Sequence, residues 1–121
     1  MILLLSGKSG THLEVLKLKL WIDDIRPAPE GYVWCKSVNI AKAEIRYVEA
    51  AVYFGEHDSI KLIDIDHDAG DFASDGGDYI RLLDWLEETG RSYPIRIHSA
   101  NSVGVANMRR IIQKNNWEEV F

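Results

Sequence analysis

Leu16-Lys17-Leu18-Lys19-Leu20-Trp21-Ile22-Asp23-Asp24 is the stretch that decides the fold. Its apolar residues alternate and then run together, the pattern of a strand entering the buried centre of a sheet, and the run stops on two carboxylates. Ile25-Arg26-Pro27-Ala28-Pro29-Glu30-Gly31 follows, and two prolines with a glycine make it a loop. Beyond it, strand-like and helix-like segments alternate, which implies a parallel sheet with helical crossovers.

Tyr32 to Lys36 reads as the second strand. Ser37 or Asn39 caps a helix that places Ala41, Ile45, Val48 and Val52 on one face, with Gly55 as its stop. Ile60 to Asp66 is the third strand, leaving through His67-Asp68-Ala69-Gly70 into a loop rich in glycine and aspartate. Gly76-Gly77-Asp78 reads as a flexible loop feeding a helix to Glu88, with Asp78 as the cap. In that helix Tyr79, Leu82, Leu83 and Leu86 recur at helical spacing, and Gly90 sits where a C-terminal glycine belongs. Pro94 opens the fourth strand, Ile95-Arg96-Ile97-His98. The last helix covers Ser102 to Lys114 with Val105, Met108, Ile111 and Ile112 as its apolar face, and Trp117 to Phe121 reads as a short edge strand. Residues 1–15 read as a β-hairpin extension turning at Ser6-Gly7-Lys8-Ser9-Gly10. Gly7-Lys8-Ser9 is not a phosphate loop, because that motif requires a glycine five positions earlier, where Ile2 stands.

Length and charge narrow the function. The 121 residues suit one α/β domain with a real core, and 46% apolar with 27% charged residues is ordinary for a globular protein. A formal net charge of −5 and no basic stripe argue against bulk DNA binding and against binding a membrane surface. Cys35 is the only cysteine and sits among apolar residues, so it reads as a buried, inert thiol. Met1-Ile2-Leu3-Leu4-Leu5 is shorter than the roughly 7–15 residues of a signal-peptide core. No stretch approaches the roughly 20 apolar residues of a membrane span, and the expected location is cytoplasmic.

In an open parallel sheet, ligands bind in the crevice beyond the carboxyl ends of the strands. Asp23 and Asp24 end the first strand, Asp66-His67-Asp68 the third, and His98-Ser99-Ala100-Asn101 the fourth. Several carboxylates in one crevice repel one another unless a cation compensates, so Asp23, Asp24, Asp66 and Asp68 are candidate ligands of a divalent metal. Oxygen ligands suit Mg²⁺ or Mn²⁺, and added imidazoles bring Zn²⁺ into range. His98 and His67, with Asp66, form the candidate catalytic set, an imidazole near neutrality being a natural acid or base. Each histidine equally suits a structural hydrogen bond to a neighbouring aspartate. Ser99, Asn101 and Arg26 are candidate phosphate ligands, the first two at a helix N-terminus that Gly104 would open to close approach. Ser99 or Asn101 is also the natural helix cap, and Arg26 is placed to pair with Asp23 or Asp24. Asp64, one pleat before Asp66, needs a partner if buried, either a helix-borne arginine or Lys61. His12 and His57 read as surface residues.

The acid pair ending strand one, the aspartate ending strand three and Ser99-Ala100 ending strand four together resemble the receiver domain of two-component response regulators. More narrowly, Leu20-Trp21-Ile22-Asp23-Asp24-Ile25-Arg26-Pro27, Asp66-His67-Asp68 and His98-Ser99-Ala100-Asn101 with Asn107-Met108 resemble the cyclic-phosphate-processing branch of those domains. The resemblance runs from about Lys19 to Asn116. It implies a three-layer, flavodoxin-like fold, an acidic metal pocket and processing of cyclic phosphates at nucleotide or RNA ends. One departure bears on mechanism: a phosphoaccepting receiver needs a lysine after its fifth strand, and Trp117-Glu118-Glu119-Val120-Phe121 has none.

The leading expectation is therefore a metal-dependent phosphoesterase acting on a small phosphodiester, with a 2′,3′-cyclic phosphate as the candidate, and a small phosphorylated ligand or RNA end as the partner. The alternatives are a receiver-like module that binds a metal, nucleotide or protein without turnover, and a phosphoacceptor domain with Asp66 as the acceptor.

Overall fold

The computed structural model describes residues 17–53 and 59–121. The expected N-terminal hairpin, the Gly55 helix stop, His12 and His57 lie outside these residues. The elements in chain order are β1 (Lys17–Ile22), β2 (Tyr32–Cys35), α1 (Val38–Tyr53), β3 (Ser59–Ile65), a 3₁₀ turn (Gly70–Ser74), α2 (Ile80–Glu88), β4 (Ile95–Ile97) and α3 (Ser102–Lys114). All strand pairs are parallel, and the order is β2-β1-β3-β4. This is a receiver-like, flavodoxin-like α/β sheet. Glu119 forms a parallel bridge with Ile95, so the tail occupies a fifth position at the sheet edge.

The register separates the two faces. Leu20, Ile22, Cys35, Ile63, Ile65 and Ile95 alternate onto one face, where they are fully buried and meet α1, α2 and α3. The three helices share that face because β2 to β3 to β4 moves one way across the sheet, and right-handed crossovers then all pack on one side. Trp21 lies opposite Trp34 and Asp64, and Asp64 opposite Arg96, on the other face. There Trp21 meets Tyr32 edge to face at 5.6 Å, and Lys19 Nζ stands 4.7 Å from the Tyr32 ring centroid. An irregularity at Leu18/Lys19 resets the pairing so that Ile60 joins the core.

The structure decides some local expectations and corrects others. Ser37, not Asn39, caps α1: Ser37 Oγ accepts from Ile40 N at 3.1 Å, while Asn39 donates its amide to Asp75. Val52 leaves the apolar face of α1 and is 48% exposed, since the last helical turn runs past the core. Asp78 does not cap α2, which begins at Ile80; its carboxylate instead accepts from Ala69 N at 3.0 Å and holds the 3₁₀ turn. Gly76 packs on Val38, where a Cβ would come within 2.8 Å, so that loop is a packed connection to α1. Cys35 is fully buried, and burial pushes its thiol up to about 12, as an inert cysteine requires.

Candidate functional site

The site is built where β1, β3 and β4 end side by side. Asp23 is 1% exposed, and its carboxylate closes the turn after β1: Oδ1 accepts from Ile25 N and Arg26 N, both at 2.9 Å. Oδ2 faces His98 Nε2 at 2.9 Å and accepts from the Arg26 guanidinium at 3.2 Å. Burial alone would raise this carboxyl, but the backbone N–H groups of Arg26 and Ile25 and the His98 ring outweigh it and hold it below the ordinary range. Trp34 Nε1 donates to the Asp23 carbonyl at 2.7 Å and Trp21 Nε1 to the Arg26 carbonyl at 2.8 Å, so two indoles fix this turn.

Asp66 leaves β3 with its Oδ1 accepting from His67 N at 2.7 Å and its Oδ2 3.6 Å from the Arg26 guanidinium. Asp24 lies against Gly70, where any Cβ would come within 2.4 Å of its Oδ2. The positive φ of Gly70 and this approach together require glycine. Asp23, Asp24 and Asp66 each offer an oxygen within 4.8 Å of the others. An all-oxygen set of this kind fits a hard cation such as Mg²⁺ or Mn²⁺, and the cradle at Gly70 leaves Asp24 the room to take part. Asp68 stands apart from this trio. Tyr79 lies buried beneath it, donating to the Lys36 carbonyl at 2.7 Å, and burial with the nearby Asp24 and Asp23 raises its hydroxyl well above the usual range.

The two histidines occupy different settings. His98 stacks on Trp21 at 3.8 Å and 5°, with Nδ1 2.7 Å from Asp64 and Nε2 2.9 Å from Asp23. An ionised carboxylate only accepts, so a ring nitrogen that hydrogen-bonds one of them carries the proton. Asp64 is fully buried, and its partners are His98, Tyr32 Oη at 3.2 Å and Arg96 at 3.7 Å. The expected helix-borne arginine or Lys61 is not used; the arginine comes from β4, one strand over. His67 Nδ1 meets Asp68 Oδ1 at 2.8 Å, and among the described residues no hydrogen bond ends on its Nε2. The His67 imidazole holds Asp68 below the usual carboxylate range.

Asn101 caps α3, its side-chain Oδ1 accepting from Gly104 N at 2.9 Å while its side-chain amide nitrogen reaches toward Asp68 at 3.3 Å. Ser99 Oγ accepts from Asn101 N at 3.1 Å. Gly104 does open the helix start to close approach, but what approaches is the His67 ring: a Cβ at Gly104 would lie 2.5 Å from its Cγ. Sequence reasoning thus brought Asp23, Asp24, Asp66, Arg26 and His98 to one place, and set His67, Asp68, Ser99 and Asn101 beside them. It missed Trp21 and Trp34 as the supports of the Asp23 turn, although strand alternation put both on one face.

A parallel sheet of order β2-β1-β3-β4 with an acid pair after β1 and a third aspartate after β3 defines a receiver-like domain. Residues 18–114 match the cyclic-phosphate processing Receiver domain, and the chain belongs to that family. No curated protein and no solved structure matches the chain. Among the described residues no helix is long and apolar enough to cross a membrane.

Proposed function

We propose that this domain is a metal-dependent phosphoesterase acting on a small phosphodiester, with the 2′,3′-cyclic phosphate of a nucleotide or RNA end as its substrate class. The observation that carries the reading is the approach of Asp23, Asp24 and Asp66 to within 4.8 Å, in a chain of a cyclic-phosphate processing family. These three residues would hold Mg²⁺ or Mn²⁺, which supplies charge for a phosphoryl oxygen and a more acidic water. His67 moves the proton: Asp68 fixes its Nδ1 and leaves Nε2 to act as base or acid. Asp68 then serves as the orienting partner of His67 rather than as a metal ligand. Asn101 steadies Asp68, Ser99 keeps its own hydroxyl proton for a phosphate oxygen, and Arg26 meets the phosphate from the mouth. His98, with both nitrogens committed to carboxylates, positions Asp23.

The test is hydrolysis of 2′,3′-cyclic nucleotides and cyclic-phosphate RNA ends with Mg²⁺, Mn²⁺ and Zn²⁺ supplied separately. Asp66→Ala abolishes the metal-dependent rate, and His67→Gln lowers it by roughly 10²–10⁴-fold. A rate that survives both substitutions overturns the mechanism. A second reading, a binding module without turnover, is favoured by the self-compensation of the pocket, in which Asp23 already faces four donors. Saturable binding of metal or nucleotide with no hydrolysis over long incubation selects it.

A further inference from the structure

Asp23 is saturated. A carboxylate offers about four acceptor positions, and those of Asp23 face Ile25 N, Arg26 N, His98 Nε2 and the Arg26 guanidinium. A cation entering among Asp23, Asp24 and Asp66 has no free lone pair on Asp23 until one donor leaves. Three of the four cannot move cheaply. The two backbone N–H groups belong to a turn pinned by Trp21 and Trp34, and the His98 ring is held between Asp64 and Asp23 with Trp21 against its face. The Arg26 guanidinium differs: its contact to Asp23 is the longest of the four, 3.2 Å, and its side chain is 52% exposed. It also lies 3.6 Å from Asp66 Oδ2 and donates to the His98 carbonyl at 3.3 Å, so one cationic group bridges the ends of all three strands.

We infer that Arg26 is a built-in counter-cation of the acidic pocket, which a divalent ion must displace, so that the ion and the Arg26–Asp23 contact exclude one another. The inference rests on the metal reading of the pocket given above. Like charges within a few ångströms repel even near a surface, so the guanidinium and the ion do not share the carboxylates. Because Trp21 holds the Arg26 carbonyl, displacement swings the side chain and leaves the main chain in place. The released arm remains at the mouth of the pocket, where it meets a phosphate. In the absence of metal the same arm neutralises Asp23 and Asp66 and keeps the pocket from self-repulsion.

The experiment is calorimetric titration of the whole chain with Mn²⁺, comparing the parent with Arg26→Gln and Arg26→Lys, with near-ultraviolet circular dichroism to report folding. Arg26→Gln binds Mn²⁺ roughly 5- to 150-fold more tightly than the parent, the range of a typical coupling between sites. Arg26→Lys, which keeps a charge but loses the fork, falls between them and carries the test if the glutamine variant does not fold. A parent that binds Mn²⁺ with both variants equal or weaker overturns the inference and leaves the metal reading standing. Failure of all three to bind removes the metal reading and this inference with it.

Discussion

His67 and Gly104 share one small volume. With the imidazole Cγ 2.5 Å from where a Cβ would stand, Gly104→Ala must push the ring away from the start of α3. Overpacking costs about 1–3 kcal/mol, while alanine in place of glycine favours a helix by about 1 kcal/mol. The expected result is a net loss of roughly 0–2 kcal/mol in urea unfolding. It comes with a changed His67 ring resonance and, under the proposed hydrolysis, a rate loss close to that of His67→Gln. A variant stabilised by about 1 kcal/mol with an unchanged resonance would show that the ring does not rest on that backbone. Identities and strand-end positions were legible at this scale, because a parallel sheet delivers its strand ends to one crevice. Pairings were not. Asp64 finds His98, Tyr32 and Arg96 through cross-strand register, which depends on where each strand slides against its neighbour. Arg26 could be read as pairing with Asp23, but its bridge to Asp66 and the His98 carbonyl needs the three-dimensional turn.

Helix ends carry much of the local specification among the elements. α2 closes with Gly90 at φ +71°, Gly90 N donating to the Glu87 carbonyl and Arg91 N to that of Leu86. α3 repeats the pattern with Asn116 at φ 56°, Asn116 N donating to Gln113 and Trp117 N to Ile112. This second end turns the chain so that Glu119 can pair beside β4, and Arg109 on α3 clasps Glu119 at 2.8 Å. Asparagine tolerates the left-handed region where other side chains pay about 1–2 kcal/mol. Asn116→Ala is therefore expected to lower stability by about 1 kcal/mol, a fall of about 4 °C in Tm by calorimetry. Asn116→Gly is expected to preserve or raise it. Gly90 was readable as a helix stop because its type announces the conformation, whereas Asn116 resembles any polar residue in a tail. The apolar spacing of α1, α2 and α3 was legible for the same reason that their buried faces pack. The 3₁₀ turn at Gly70–Ser74 was not: it has no apolar period and is held by Asp78 from beyond it.

Across the whole molecule, the acidic balance of −5 makes carboxylate contacts the natural route of acid unfolding. Asp23, Glu49 and Asp68 all titrate below their ordinary values in the folded chain. Glu49 is the clearest case: Arg91 grips it from the segment before β4 with contacts of 2.8–3.1 Å, Tyr93 donates to it, and Arg91 also lies 4.3 Å over Trp85. This seam ties α1 to the segment between α2 and β4. A carboxylate whose folded pKa is depressed binds protons more readily when unfolded, so stability rises with pH through that range. The contribution is complete above the unfolded values, 3.8 for aspartate and 4.5 for glutamate, and is lost as pH falls through the folded ones. Urea midpoints are therefore expected to fall steeply below about pH 4.5. Glu49→Gln is expected to cost about 1–2 kcal/mol at pH 7, discounted for its partial exposure. It should also flatten the acid limb, because the substituted residue has no proton to take up. An acid limb as steep in Glu49→Gln as in the parent would mean that Asp23 and the strand-end pocket, not the α1 seam, set the acid limit of the fold.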